Sequence, residues 1–355
     1  MADDLLLAPG TRLVHIGPHK TGTTAVQGAF HRGREALEEH GVSYFGAVPA
    51  ASYLEGSLAI TQRKAHMGKA VPDMRHWTEL TADVAAQGDR RVLVSSEFFA
   101  DADDAAARRV VSDLGGARAH VVVTVRPLIK IMPSQWQQYV QNGLLPPYPD
   151  WLDGILNKPP EQVPTPSFWR RHRHDKLIAR WAAAAGARNV TVVVVDESDR
   201  LMLLRTFERM LGLPSGFLML DDSAVNRSLT LAEAELIRLL NHEIKDRGWP
   251  GKLYARFMRR GVIRQLKAGH QPGPGEPRIV TPAWALKRAG EIDAEMAEHI
   301  SALGVHIVGD ISALAEPPGE AARRWADSPQ TTPALPPAAA AHAVLGAIIA
   351  SKVPR

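Results

Sequence analysis

The 355-residue sequence predicts an α/β fold of three layers, with a mainly parallel central sheet flanked by helices and a helical C-terminal part. Two observations predict the sheet. Short apolar runs alternate with helical stretches over the first 200 residues, and the runs HVVVTV (120–125) and NVTVVVVD (189–196) are almost continuously β-branched, as in strands buried on both faces. A third, the lack of further strand-like runs after residue 200, predicts the helical remainder.

The elements follow in order. RLVHIG (12–17) reads as a buried strand, then the turn PHKTG, then a helix from Thr23 to His40 that Gly41 ends. VSYFG is a second strand. Residues 47–76 carry Arg63, Lys64, His66, Lys69, Arg75 and His76 and are expected to form a long basic excursion or lid. RRVLVSS (90–96) is a strand, and Asp101 is expected to cap a helix running to Leu114. Pro133 suits the first position of a helix closed by Gly143, and the Pro-rich stretch 144–166 reads as a loop. Helices are expected at 168–185, 200–211, 230–247, 251–267 and 282–303, with GHQPGPGEP (269–277) as a loop between two of them. Residues 317–337 are Pro/Ala-rich, and the last 18 residues form a short apolar helix expected to dock on a neighbour or partner.

Composition narrows the chemistry. Apolar residues make up 45% and charged residues 23%, which excludes a wholly disordered or fibrous chain. With no cysteine, thiolate metal sites and Cys nucleophiles are ruled out. Acidic residues in MADDLLLAPG do not suit a signal peptide, and the apolar run 338–350 is too short to span a bilayer, so a cytoplasmic location and no membrane partner are expected. A formal charge of +4 is too weak to argue for nucleic acid, and none is expected. The fourteen histidines show no metal-ligand spacing, so no metal is expected.

The stretch His15-Ile16-Gly17-Pro18-His19-Lys20-Thr21-Gly22-Thr23-Thr24 is the most informative. A strand, a Gly-containing turn and a helix start converge, aiming backbone N–H groups and a helix N-terminus at one spot, as an anion site requires. Gly17 and Gly22 have the spacing of the nucleoside-triphosphate loop G-x-x-x-x-G-K-[ST], but Thr23 stands where that loop has lysine. Its lysine, Lys20, lies inside the loop, which argues against a kinase or GTPase.

Lys20-Thr21-Gly22-Thr23-Thr24 resembles the phosphosulfate loop of P-loop sulfotransferases that use 3′-phosphoadenosine 5′-phosphosulfate. That family's second hallmark is an arginine at a strand end with a serine eight residues on; here Arg126 ends VVVTV and Ser134 follows at that distance. The resemblance spans most of residues 10–230 and is nearest to the bacterial and carbohydrate-directed branches. It implies the phosphosulfate nucleotide as co-substrate, with 3′,5′-ADP as product and no metal requirement. His19, Lys20, Thr21, Gly22, Thr23 and Thr24 would hold the 5′ side, Lys20 would contact the oxygen bridging phosphate and sulfate, and Arg126 and Ser134 would hold the 3′-phosphate. Departures exist too. Ala25 replaces the aromatic residue on which adenine stacks in many members, and the Arg-Lys-Gly segment is absent, leaving Asn226-Arg227-Ser228 as the substitute.

Transfer to an alcohol also needs a base. Glu97, just past the strand 90–96 and beside Phe98 and Phe99, is the candidate, with His19 and His15 as rivals. Phe168-Trp169-Arg170-Arg171-His172-Arg173-His174 could meet the nucleotide or an anionic acceptor, or be a solvated face with its tryptophan packed inward. The resulting expectation has residues 1–230 as the nucleotide-binding core, 231–316 as its helical extension, and 317–355 as linker and terminal helix. Sulfuryl transfer goes to a hydroxyl, or less favourably an amine, of a glycan or secondary metabolite, and the C-terminal helix offers a route to a homo-oligomer. A small-molecule P-loop kinase and a non-catalytic nucleotide-binding interaction protein are the alternatives.

Overall fold

The structure, a computed structural model, describes residues 5–46, 53–64, 70–220, 227–316 and 334–352. Six strands, β1 (Arg12–Ile16), β2 (Val42–Gly46), β3 (Arg91–Ser95), β4 (Ala119–Val125), β5 (Val190–Val194) and β6 (His306–Val308), form one sheet in the order β2-β3-β1-β4-β5-β6. Every pairing is parallel. The sixth strand was not foreseen: three residues, one of them an exposed histidine, carry too little pattern to read.

Alternation along the strands splits the core between the sheet's two faces. Leu13, Leu93, Val122 and Val193 pack under α1 (Thr23–Arg32) and α10 (Met202–Leu211), through Val26, Phe30, Leu204 and Phe207. Val14, Val92, Val94, Val121, Val123 and Val192 face the other way, toward α4 (Arg75–Ala85), α5 (Asp104–Asp113) and α9 (His174–Ala185). A second, helical core joins α6 (Leu128–Val140), α7 (Tyr148–Asn157), α11 (Leu231–Asp246), α14 (Ala283–Ala302) and the C-terminal helix Pro337–Lys352.

Several expectations are corrected. The helix expected over Thr23–His40 breaks at Gly33, whose flattened backbone ends α1, before short helical turns reach the left-handed Gly41. The excursion 47–76 contains α3 (Tyr53–Ile60), a buried helix whose Gly56 lies against α4: an added Cβ would stand 2.9 Å from the His76 carbonyl. His66 and Lys69 fall outside the described residues. Asp103, not Asp101, caps α5, accepting from the Ala106 N–H at 2.8 Å. The stretch 168–185 divides at Arg173 into α8 (Ser167–His172) and α9. Pro133 lies inside α6, one and a half turns after Pro127 begins it, so the proline marks an interior position where the i−4 carbonyl loses its partner. Residues 144–166 contain α7, which buries Tyr148, Trp151, Leu152 and Ile155 on one helical stripe.

The C-terminal helix docks within its own chain, antiparallel to the helical run 251–269, whose centre, Ala255–Ile263, is a π-helix. Gly261 and Gly346 face each other there; a Cβ on Gly261 would come within 2.7 Å of the Gly346 carbonyl oxygen, so only glycine permits the approach. Arg256 closes the helix end by donating to the carbonyls of Ala350 and Ser351 at 2.8 and 3.0 Å. Of the expected linker, residues 317–333 lie outside the described residues. Among the described residues no helix is long and apolar enough to cross a membrane.

Candidate functional site

Chain connections diverge at the middle of the sheet. β1 leads to β2 on one side, whereas β4 leads to β5 on the other, so the crevice beyond the carboxyl ends of β1 and β4 is a topological switch point. The loop 17–22 occupies it. Two hydroxyls fix its shape: Thr21 Oγ1 donates to the Pro18 carbonyl at 2.7 Å and lies 2.8 Å from Thr124 Oγ1, while Thr23 Oγ1 donates to the Gly17 carbonyl at 2.9 Å. Gly17 admits no side chain, because a Cβ would fall 2.0 Å from Thr23 Oγ1. Gly22 is left-handed at φ 96° and N-caps α1 without a side-chain hydrogen bond or an acid in the first turn. Thr21 and Thr23 therefore build the loop with their hydroxyls, and with the Ala25 and Val26 N–H groups already bonded to the Gly22 carbonyl, those of Thr23 and Thr24 are the ones a helix start offers to an anion.

Lys20 is also left-handed, at φ 73°, a conformation that costs a non-glycine residue roughly 1–3 kcal/mol. Arg126 supports it: Nη1 donates to the Lys20 carbonyl at 3.2 Å. Burial, and after it the nearby Lys267, hold the Lys20 ammonium below its ordinary pKa. Lys267 is itself held down by burial and by Arg227. The cations that converge near the loop thus come from three distant segments.

Arg126 stands where the sequence places it, at the end of β4, but it is occupied. Its Nη2 pairs with Glu197, which also accepts from Lys130 Nζ at 3.1 Å, while its Nε is buried with no partner. Burial raises the Glu197 pKa, and Arg126 and then Lys130 more than reverse this, keeping the carboxylate ionised. Ser134 lies in the second turn of α6 rather than at its start, with Oγ donating to the Ile131 carbonyl at 3.0 Å. Arg227 has another task. It donates to both oxygens of buried Glu233, at 2.8 and 2.7 Å, and to the Leu266 carbonyl at 2.7 Å, so both terminal nitrogens are engaged, while its Nε is buried without a partner. Asn226 lies outside the described residues.

Beside the loop opens a pocket of about 530 Å³ lined by His19, Glu97 and Phe98, by Arg63 and Arg171, and by Gln135 and Gln138 of α6, among others. Gln138 Oε1 lies 3.5 Å from Lys20 Nζ, so the lysine sits on the border between loop and pocket. Both leading base candidates line this pocket. Glu97 opens the 3-10 turn Glu97–Asp101 after β3, whose N-cap Ser96 accepts from the Phe98 N–H at 3.2 Å, and Gln27 Nε2 approaches its carboxylate at 3.4 Å. Phe99 turns away into the sheet core, leaving Phe98 alone on the pocket side. His19 stacks edge-on against Phe98, its Nε2 buried without a partner. Burial first, then Arg171, Lys20 and Arg63, hold its imidazole well below the usual histidine range, so it is neutral at pH 7. His15 does not line the pocket. It is buried in β1 with Nδ1 2.8 Å from Ser95 Oγ, and burial pushes its pKa down to about 3.

The run 168–174 is packed rather than solvated. Phe168, His172 and His174 are buried, and Arg171 forms a two-point pair with Asp101, at 2.9 and 2.6 Å, behind the pocket wall. Sequence reasoning missed Glu197, Lys267, Gln135 and Gln138. α6 presents the two glutamines at an i, i+3 spacing that reads equally as an ordinary polar face.

No protein-family model matches the chain, and no curated protein matches it. Among solved structures it is similar to the crystal structure of a sulfotransferase from Alicyclobacillus acidocaldarius, with 15% identity and a TM-score of 0.40 over 65% of this chain and 92% of that one.

Proposed function

We propose that this protein is a sulfotransferase that moves a sulfuryl group from 3′-phosphoadenosine 5′-phosphosulfate to a hydroxyl of a small polar acceptor. The observation that carries the proposal is the position of Lys20. It lies in a loop at a sheet switch point that runs into an uncapped helix N-terminus, and its ammonium borders a pocket that holds two candidate bases. The residues fit the donor: an uncapped helix N-terminus without acid suits the 5′-phosphate, and the unpartnered Arg126 Nε with Lys130 and Lys267 nearby suits further anionic charge.

The donor supplies a sulfuryl group activated by its phosphate leaving group. As the acceptor oxygen bonds to sulfur, the sulfur–oxygen bond to phosphate breaks. Negative charge then grows on that phosphate, where Lys20 and the Thr23 and Thr24 N–H groups would meet it. The acceptor hydroxyl's proton goes to Glu97, with neutral His19 the neighbouring alternative. The small-molecule kinase reading lacks a lysine after Gly22, where Thr23 stands with its hydroxyl tied to Gly17. Titration calorimetry separates the two. With EDTA present, 3′,5′-ADP binds if the proposal holds; binding of ATP with magnesium and not of 3′,5′-ADP refutes it.

A further inference from the structure

The wall of the pocket is strongly cationic. Among the described residues that line it, Arg63, Lys64 and Arg171 face one carboxylate, Glu97. Asp101 behind the wall does not balance them, since it is shared between Arg171 and Arg63, whose Nε lies at 3.3 Å. The opposite side is neutral and polar, with Gln135 and Gln138 on one face of α6 and Asn142 in the turn beyond. Gln135 is only 1% exposed, and neither its Oε1 nor its Nε2 finds a partner. A buried amide left so is a standing cost to the fold, which a folded chain retains where a ligand completes the bonds. An amide donates and accepts at once, and so does an alcohol.

We propose that this pocket takes an acidic polyol, a sugar or cyclitol bearing a carboxylate or sulfate, with its oxyanion against Arg63 and Lys64 and its hydroxyls bonded to the Gln135 amide. This rests on the reading of the pocket as the acceptor site. The volume of about 530 Å³ is within the range of small-molecule sites. Phe98 and Tyr139 supply apolar faces for ring C–H groups. Excess positive charge then selects the acceptor and also offsets repulsion between it and the polyanionic donor.

The test uses the full chain saturated with 3′,5′-ADP and three probes: a uronic-acid oligosaccharide, its carboxyl-reduced neutral counterpart, and that neutral sugar carrying one sulfate ester. Calorimetry should show the carboxylate probe, the sulfate probe or both binding at least tenfold more tightly than the neutral one, and the pattern tells the oxyanions apart. Lys64→Ala should narrow the gap, weakening acidic probes and sparing the neutral one. Gln135→Leu should weaken the acidic probes about tenfold while melting temperature holds or rises, because no bond within the protein is lost. Equal binding of the neutral probe, binding of none of the three, or a Gln135→Leu protein that melts lower with binding intact overturns the inference. If acidic probes are preferred but 3′,5′-ADP does not bind, the sulfotransferase reading fails and the acidic-polyol site stands.

Discussion

Asp101 accepts two hydrogen bonds from Arg171, 2.9 Å from Nε and 2.6 Å from Nη2, in a pair closed off from solvent. It ties the turn that begins with Glu97 to α8 and so fixes the back of the pocket. Removing one member of a buried, two-point pair leaves the other charge uncompensated, which costs about 3–5 kcal/mol. Asp101→Ala should therefore lose most of that amount in urea unfolding. A loss below 1 kcal/mol would show that Arg171 finds another partner.

Glu197 holds Arg126 and Lys130 with a carboxylate, the same chemistry a phosphate would present to them. An incoming 3′-phosphate must displace it. Glu197→Gln should consequently bind 3′,5′-ADP several-fold more tightly, with a smaller change for 5′-AMP. Arg126→Ala should lose more than tenfold for 3′,5′-ADP, since a charge-assisted phosphate contact contributes roughly 1.5–3 kcal/mol. Part of that loss will be shared by 5′-AMP, because Arg126 also supports the Lys20 carbonyl. Weaker 3′,5′-ADP binding by Glu197→Gln would contradict the assignment.

Glu97→Gln keeps shape and hydrogen-bonding capacity but not basicity. Turnover should fall by about 10²–10⁴ with the acid limb of the rate profile lost and 3′,5′-ADP affinity unchanged. If the rate holds and His19→Gln lowers it instead, the proton goes to the imidazole.

Acid should destabilise the fold. Burial lowers His15 to about 3, and holds His120 and His174 to about 4; His19 and His172 are also held low. Each has a folded pKa below its unfolded one, so its contribution is present above about pH 6.5 and lost as pH falls toward the folded values. Each contributes a slope of about 1.4 kcal/mol per pH unit in that window. Asp293, raised well above its usual value by burial, works in the opposite sense. Urea midpoints should drop sharply between pH 7 and 5, and His174→Leu should flatten the drop. Equal midpoints at the two pH values would show that these histidines are solvated.

Local pattern carried much of this fold into the sequence. The valine runs of β4 and β5 are legible because strands buried on both faces need no alternation, and Thr230 with Glu233 gives α11 a capping box readable as T-x-x-E. Prolines misled in two places. Pro146, Pro147 and Pro149 masked the 148/151/152/155 stripe of α7, and Pro133 drew the start of α6 five residues late. In the candidate site, the loop was legible as a contiguous motif. Glu197 and Lys267 were not, because they reach the loop's surroundings from the turn after β5 and from the 251–269 helix, and only tertiary packing brings them there. Arg227 shows the converse: a basic residue of suitable type whose partner, Glu233, lies six positions on and claims it first.

The most direct test of the account is sulfuryl transfer by the wild-type chain and by Lys20→Ala, from the phosphosulfate nucleotide to an acidic oligosaccharide. The readouts are sulfated product by mass spectrometry and 3′,5′-ADP released. The wild type should form both in equal amounts without metal. Lys20→Ala, lacking the cation aimed at the leaving phosphate, should turn over at least a hundredfold more slowly, with 3′,5′-ADP binding affected far less. Turnover within a few-fold of wild type in Lys20→Ala, or nucleotide bound with no sulfated product, would contradict it.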